Sequence, residues 1–213
     1  MRLFSKNLAA TFVGAAALVA LATASHASTV SIFSTGVDSG GNVVAGADQH
    51  YTSPTGPITP TFNGAYFANN ATSQWIGGAL PENVPVDYTV HFTLAETGNA
   101  ILTGSWGVDN EGLDILINGN STGITLLGVI AGNFTSLHSF ATTLAQSAFF
   151  LIGDNTLTFR VRDAGNPGAF RADGLSVTAS ATTPIPPAIL LFMTALGGIG
   201  FLGYRRRGAS AAA

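Results

Sequence analysis

From Val86 to Leu94 the chain alternates strictly: Val86, Tyr88, Val90, Phe92 and Leu94 are apolar, and Asp87, Thr89, His91 and Thr93 between them are polar. Only an extended strand sends successive side chains to opposite faces, so this run predicts a β-strand with one dry side. Thr156-Leu157-Thr158-Phe159-Arg160-Val161-Arg162 repeats the pattern with Leu157, Phe159 and Val161 facing inward. Leu113-Asp114-Ile115-Leu116-Ile117 runs into Asn118-Gly119, a pair that readily takes the positive φ angles of a two-residue hairpin. Further strands are expected at 30–33, 74–76, 100–106, 124–129, 134–140 and 175–178. Turn residues separate them: Asp109-Asn110, Gly153-Asp154-Asn155 and the stretch 163–168. Residues 141–152 are ambiguous, because their Phe149-Phe150-Leu151-Ile152 ending also suits a buried strand. About nine strands over residues 28–180 predict a single all-β domain, a β-sandwich or jelly roll. A domain of that size can bury a core without disulfides, and the chain has no cysteine.

Residues 34–85 are less regular and hold five of the nine prolines, Pro54, Pro57, Pro60, Pro81 and Pro85. They read either as long loops over one end of the sandwich, where binding surfaces commonly sit, or as a poorly structured connection.

Charge is scarce and unevenly placed. Of 213 residues 9% are charged, against about 25% in ordinary soluble domains. That excludes a highly charged disordered chain, a coiled coil and a nucleic-acid binder. Residues 28–183 carry all 11 acids, three basic residues (Arg160, Arg162 and Arg171) and no lysine, a net of −8. The other five basic residues, Arg2, Lys6, Arg205, Arg206 and Arg207, sit at the two ends. Such a split belongs to an exported protein.

Both ends read as addresses. Arg2 and Lys6 precede an apolar run at 8–22 that ends in Ala24-Ser25-His26-Ala27-Ser28, the pattern of a secretory signal peptide over 1–27 cleaved after Ala27. A retained anchor is the other reading. At the far end a linker, 181–187, contains Pro184-Ile185-Pro186-Pro187; residues 188–204 are uncharged, and 205–213 begin with the arginine triplet. Seventeen residues make a helix about 25 Å long, the lower limit for a transmembrane helix. Arginines at its end would stay cytoplasmic, leaving 28–187 outside. The prolines would form a rigid collar, and Gly197, Gly198, Gly200 and Gly203 would weaken the helix.

Taken in that order, the proline motif, the short glycine-rich apolar segment and the terminal arginines resemble the PEP-CTERM sorting signal. Pro184-Ile185-Pro186-Pro187 stands where many members have Pro-Glu-Pro or Val-Pro-Leu-Pro-Ala. The resemblance implies exosortase as a partner, transient residence in the inner membrane through the C-terminal helix, and delivery to the cell surface or extracellular matrix of a Gram-negative bacterium that makes exopolysaccharide. A plain single-pass anchor is the competing reading. Thr35-Gly36-Val37-Asp38, Asp48-Gln49-His50-Tyr51-Thr52, Ser73-Gln74-Trp75-Ile76, Gly153-Asp154-Asn155-Thr156-Leu157-Thr158-Phe159 and above all the stretch from Trp106 through Asp109-Asn110-Glu111 to Asn118-Gly119 are similar to exported domains of PEP-CTERM proteins and to galactose-binding-like jelly rolls. That likeness implies the fold more than any activity.

Most candidate chemistry has a plainer explanation. Gly119-Asn120-Ser121-Thr122-Gly123 matches G-x-S-x-G, but β-branched, glycine-broken sequence follows where a hydrolase elbow needs a helix. Gly198-Ile199-Gly200-Phe201-Leu202-Gly203 matches G-x-G-x-x-G inside the apolar tail, with no β-α unit after it. His50, His91 and His138 have no local zinc spacing. Asp109, Asn110, Glu111 and Asp114 offer hard oxygens for calcium around a turn, with Asp38, Asp48 and Asp173 able to converge from loops; equally, they are turn formers. Trp75, Trp106, Tyr51 and Tyr66 are candidates for stacking on sugar rings, or else core; the face that Trp106 shares with Ala100, Leu102 and Gly104 favours core. Glu82, Glu96 and Glu111 are the glutamates a glycosidase would need. The expectation is a non-enzymatic, exported surface or matrix protein associated with exopolysaccharide, without a cofactor unless calcium binds. A specific carbohydrate-binding module and a glycosidase are the alternatives.

Overall fold

The computed structural model describes residues 27–77, 81–165 and 167–181, together with residues 192, 195 and 196. Among the described residues ten strands form two antiparallel sheets. They are β1 (Ala27–Ser31), β2 (Thr59–Pro60), β3 (Ile76–Gly77), β4 (Pro85–Leu94), β5 (Gly98–Asp109), β6 (Glu111–Ile117), β7 (Asn120–Ser121), β8 (His138–Ala141), β9 (Gly153–Arg162) and β10 (Ala169–Ser180). One sheet runs β2-β3-β10-β5-β8, with β1 also on β10; the other runs β4-β9-β6-β7. The all-β expectation therefore holds as a sandwich of two antiparallel sheets.

The alternating runs do what their pattern dictates. In β4 the residues Val86, Tyr88, Val90, Phe92 and Leu94 are buried, and in β9 so are Leu157, Phe159 and Val161. These two strands pair in unbroken register from Pro85↔Arg162 to Leu94↔Gly153. Phe159 spans the gap between the sheets, its ring 4.8 Å from Phe170, 5.7 Å from Trp106 and 6.2 Å from Phe140. Asn118 and Gly119 take φ of 49° and 78° and close the β6–β7 hairpin with Ile117 opposite Asn120, as the sequence predicts. Gly112 is glycine because the layers meet there: a Cβ would lie 2.3 Å from the Trp106 ring.

Three expectations change. Residues 124–129 form no strand; Leu126 makes a single bridge to Gly112. There Gly128 turns the chain at φ 89°, and the buried Asn133 side chain donates to the carbonyls of Gly128 and Asn110, both at 2.8 Å. That clamp sets Phe134 in a one-turn helix, α1 (Gly132–Thr135), so only the end of the expected strand at 134–140 survives, as β8. Within 141–152, Leu144–Phe149 forms a 3-10 helix, with the Thr143 N–H donating to Gln146 Oε1 at 2.7 Å.

The described part of the proline-bearing stretch is an ordered strap rather than a loose connection. The Asp48 carboxylate accepts from the N–H groups of Gly36, His50 and Tyr51. Gln74 Nε2 donates to the carbonyls of Gly36 and Val44. Val37, Tyr51, Ile58, Tyr66 and Trp75 from this stretch are buried.

Apart from Ala27, which opens β1, the expected signal peptide lies outside the described residues, as do Pro184, Ile185, Pro186, Pro187, Arg205, Arg206 and Arg207. Of the segment 188–204 only Phe192, Ala195 and Leu196 are described, and they are helical. No helix among the described residues is long and apolar enough to cross a membrane.

Candidate functional site

The four aromatic residues singled out for sugar stacking are sealed inside. Trp75, Trp106, Tyr51 and Tyr66 are 0, 1, 4 and 5% exposed. Trp106 lies between the sheets. Trp75 packs on Tyr66 with ring centroids 4.8 Å apart and donates Nε1–H to Phe67 O at 2.8 Å. Tyr66 Oη lies 2.9 Å from both Asp109 Oδ2 and Pro167 O, and Tyr51 Oη donates to Phe33 O at 3.0 Å. A ring with both faces packed cannot receive a sugar, so none of the four is a stacking platform. All four are core aromatics, and the polar atoms of Trp75, Tyr51 and Tyr66 find partners, as buried tyrosine and tryptophan side chains usually do.

The calcium candidates come together only in part: Asn110 Nδ2 donates to Asp109 Oδ1, but Glu111 and Asp114 are turned to other partners. Asp109 faces inward to Tyr66. Asn110 Oδ1 accepts from Ala164 N at 2.7 Å. Glu111 is bound by Arg162 and by Gly128 N, and that arginine holds its carboxyl below the ordinary range. Asp114 accepts from Gly123 N at 3.1 Å. Asp38 closes its own turn through Gly40 N and Asn42 N. Among the described residues no group of three or more histidine or acidic side chains is placed to hold a metal ion. What the fold brings near Asp109 is Asp163, a residue absent from the predicted set. Burial, opposed by the Tyr66 hydrogen bond and reinforced by Asp163, raises the pKa of Asp109; burial also raises that of Asp163. Asp163 Oδ2 and Tyr88 Oη are buried without a partner.

The hydrolase motifs fare no better as geometry. Ser121 sits exposed in β7, with no helix behind it. Glu82 and Glu96 bracket the ten residues of β4, roughly 30 Å of extended chain, whereas paired glycosidase carboxyls stand about 5–9.5 Å apart. Glu111 is committed to Arg162.

One open feature combines an aromatic ring with oriented polar groups. Where β1 leaves the sheet, a groove of about 340 Å³ is lined by Ser31, Phe33, Ser34, Val37, Gly40 and Thr72, among others. Phe33 is 37% exposed. Its ring stacks on His50 with centroids 3.5 Å apart and planes 3° from parallel, and the Tyr51 hydrogen bond pins its carbonyl. Beside it Asp173 accepts from Ser34 Oγ at 3.3 Å, Thr72 Oγ1 at 3.2 Å and Asn70 Nδ2 at 3.0 Å. Behind Asp173 lies the fully buried Arg171. Its Nε donates to Ser73 Oγ at 2.9 Å and its Nη1 to Ala68 O at 2.7 Å, while Nη2 stands 4.0 Å from Asp173 Oδ2. Burial lowers the Arg171 pKa. Burial also works against the Asp173 charge, but hydrogen bonds from Asn70, Ser73 and Thr72, with Arg171 behind, outweigh it and hold Asp173 below its ordinary value. The groove thus has an aromatic ring fixed in place, and behind its Ser34 and Thr72 hydroxyls stands a carboxylate held below its ordinary pKa.

Sequence reasoning missed Phe33, His50, Ser34, Thr72 and Asp173 as a group. One signal was present: with Ile32 facing in, Phe33 must face out. Nothing local pairs Phe33 with His50 seventeen positions later, or Ser34 with Asp173.

No family model and no curated protein matches the chain. Among solved structures it is similar to a Podospora anserina GH26-CBM35 β-(1,4)-mannanase, at 12% identity and a TM-score of 0.34, over 75% of this chain and 29% of that one. It is also similar to the CBM36-1 domain of a multidomain xylanase from the hindgut metagenome of Trinervitermes trinervoides, at 14% identity and a TM-score of 0.32, over 74% of this chain and all of that one. A third is the Stig cyclase Fisc from Fischerella sp. TAU, at 12% identity and a TM-score of 0.37, over 77% and 93% of the two chains. The sandwich architecture itself rests on the strand pairing described above.

Proposed function

We propose that this chain is an exported, non-enzymatic protein of the cell surface or extracellular matrix, a jelly-roll domain sorted by a PEP-CTERM-type tail and associated with exopolysaccharide. Exosortase is its processing partner, and the inner membrane is a transient stop reached through the C-terminal apolar segment. The observation that carries the reading is the charge split: a lysine-free middle of net −8 between two basic, apolar ends.

The outer faces of the sheets support it. They carry hydroxyl pairs at Thr29–Thr178 (3.1 Å), Thr103–Ser176 (3.2 Å), Ser105–Ser139 (3.2 Å) and Thr89–Thr158 (2.8 Å), beside the cross-strand pairs Arg160–Asp87 and His91–Asp154. Such a surface is hydrated without being highly charged, which suits residence in a polysaccharide gel. A second reading, a specific carbohydrate-binding module, is favoured by the Phe33 groove.

Fractionation of producing cells tests the proposal. The protein is expected in the surface or matrix fraction, and it should escape to the medium when exopolysaccharide synthesis is blocked. Recovery from the cytosol, or unchanged retention without polysaccharide, contradicts it.

A further inference from the structure

We infer that the groove beside Phe33 is a subsite for an uncharged hexopyranose unit of a polysaccharide, with Phe33 as its platform and the Ser34–Thr72–Asp173 cluster as its hydroxyl reader. The inference rests on the proposed association with exopolysaccharide and assigns that association to one place.

Three observations carry it. A pyranose ring has an apolar face of C–H bonds that packs on a flat aromatic surface, and Phe33 offers such a surface already immobilised. His50 backs the ring at 3.5 Å and the Tyr51 hydroxyl holds the backbone carbonyl, so little ordering is left to be done when a ligand arrives. The volume, about 340 Å³, lies at the small end of ligand pockets, which span roughly 300–1,000 Å³. It suits one or two sugar rings of a chain that continues into solvent through the open side.

The third observation sets the chemistry of the ligand. Ser34 Oγ and Thr72 Oγ1 have their protons committed to oxygen acceptors, Ser34 to Asp173 and Thr72 to Asp173 or to Asn70 Oδ1. A hydroxyl with its proton spent still has a lone pair to offer, so both present acceptors beside the groove. Asp173 is held ionised at the same place. A wall of acceptors and negative charge favours a ligand that brings hydroxyl donors. It disfavours a uronate, sulfate or phosphate, whose charge would face the Asp173 carboxylate standing behind those hydroxyls, with Arg171 fully buried. The sugar is therefore a neutral hexose.

Isothermal titration of the full chain in a zwitterionic, sugar-free detergent tests this with cellohexaose, mannohexaose, maltohexaose and isomaltohexaose as neutral probes and hexagalacturonate as the acidic one. At least one neutral hexaose should bind, with hexagalacturonate at least ten-fold weaker. Phe33→Ala should weaken the neutral ligand ten-fold or more with an unchanged melting temperature, and Phe33→Trp should restore most of the binding. Hexagalacturonate binding as tightly as the neutral sugars overturns the inference, as does failure of every neutral probe. If wild type and Phe33→Ala bind equally, or if all the probes fail while the cell's own exopolysaccharide still retains the protein, the groove assignment is wrong and the association with polysaccharide stands.

Discussion

Two sets of aromatic side chains divide the molecule. Trp106 sits between the sheets against Phe159 and the bare backbone of Gly112, and Trp75 sits in a second buried cluster with Tyr66 and Ala169. Phe33, just past β1, and His50, on the strap, are stacked on each other outside the sheets with the groove alongside. The larger, chemically more conspicuous tryptophans turn out to be structural, and the modest phenylalanine is the one left open. What decides is topology: Trp106 on an inward strand position meets the opposite sheet, Trp75 is covered by Tyr66, Phe134 and Leu137, and Phe33 just past the end of β1 is left partly open. The same division separates two aspartates. Asp173 at the groove is supplied with donors and stays ionised, whereas Asp163 at the other site is buried with one oxygen unpartnered and is pushed toward its neutral form.

The most damaging way to probe that contrast is Trp106→Ala, which empties the space between the sheets and should cost about 3–5 kcal/mol in denaturant unfolding. Phe33→Ala should cost no more than about 0.5 kcal/mol, in the range of ordinary surface changes. Equal losses would erase the distinction between a structural and an open set. Gly112→Ala comes next, at about 1–3 kcal/mol, because its methyl group must displace the Trp106 ring; a neutral result in the same assay would mean the layers are looser than they look.

The aspartates give smaller effects of opposite sign. The folded-state pKa of Asp173 is depressed, so its stabilisation is present above the ordinary Asp value of 3.8 and is lost as pH falls through the folded value. Asp173→Asn should therefore lower Tm at pH 7, and the difference from wild type should shrink in acid. Asp163 has the reverse linkage: its raised pKa favours the fold at low pH, and that contribution disappears as pH rises from 3.8 through the folded value. Asp163→Asn should accordingly raise Tm at neutral pH, by on the order of 2 °C, and leave it unchanged below pH 3.8. Thermal melts across pH check both, and the same sign for the two variants would refute the contrast.

Much of the scaffold was legible because one-sided burial writes itself into a strand with period two. Val86 to Leu94 and Thr156 to Arg162 could hardly have been anything else, and Asn118-Gly119 announced its hairpin through the φ angles it tolerates. Residues 124–140 misled because their β-branched composition suits a strand, while the conformation there is set by Asn133 reaching across to Asn110 and Gly128, a tertiary contact with no local period. The site was less legible for the same reason. Stacking Phe33 on His50 and joining Ser34 to Asp173 depend on how the strap folds back over β10, and composition draws the eye to tryptophan and to acid runs instead. Glu111, which looked like a metal ligand beside Asp109, was answered by Arg162 from the neighbouring strand.

On the proposed function, the sandwich is cargo delivered outside the cell between two removable ends. Intact-mass measurement on protein extracted from the cell surface tests it most directly. The expected mature chain begins after Ala27 and lacks the apolar tail together with Arg205, Arg206 and Arg207. A surface-extracted mass that still includes the three arginines would identify a plain membrane anchor, and an uncut chain recovered from the cytosol would contradict the account outright.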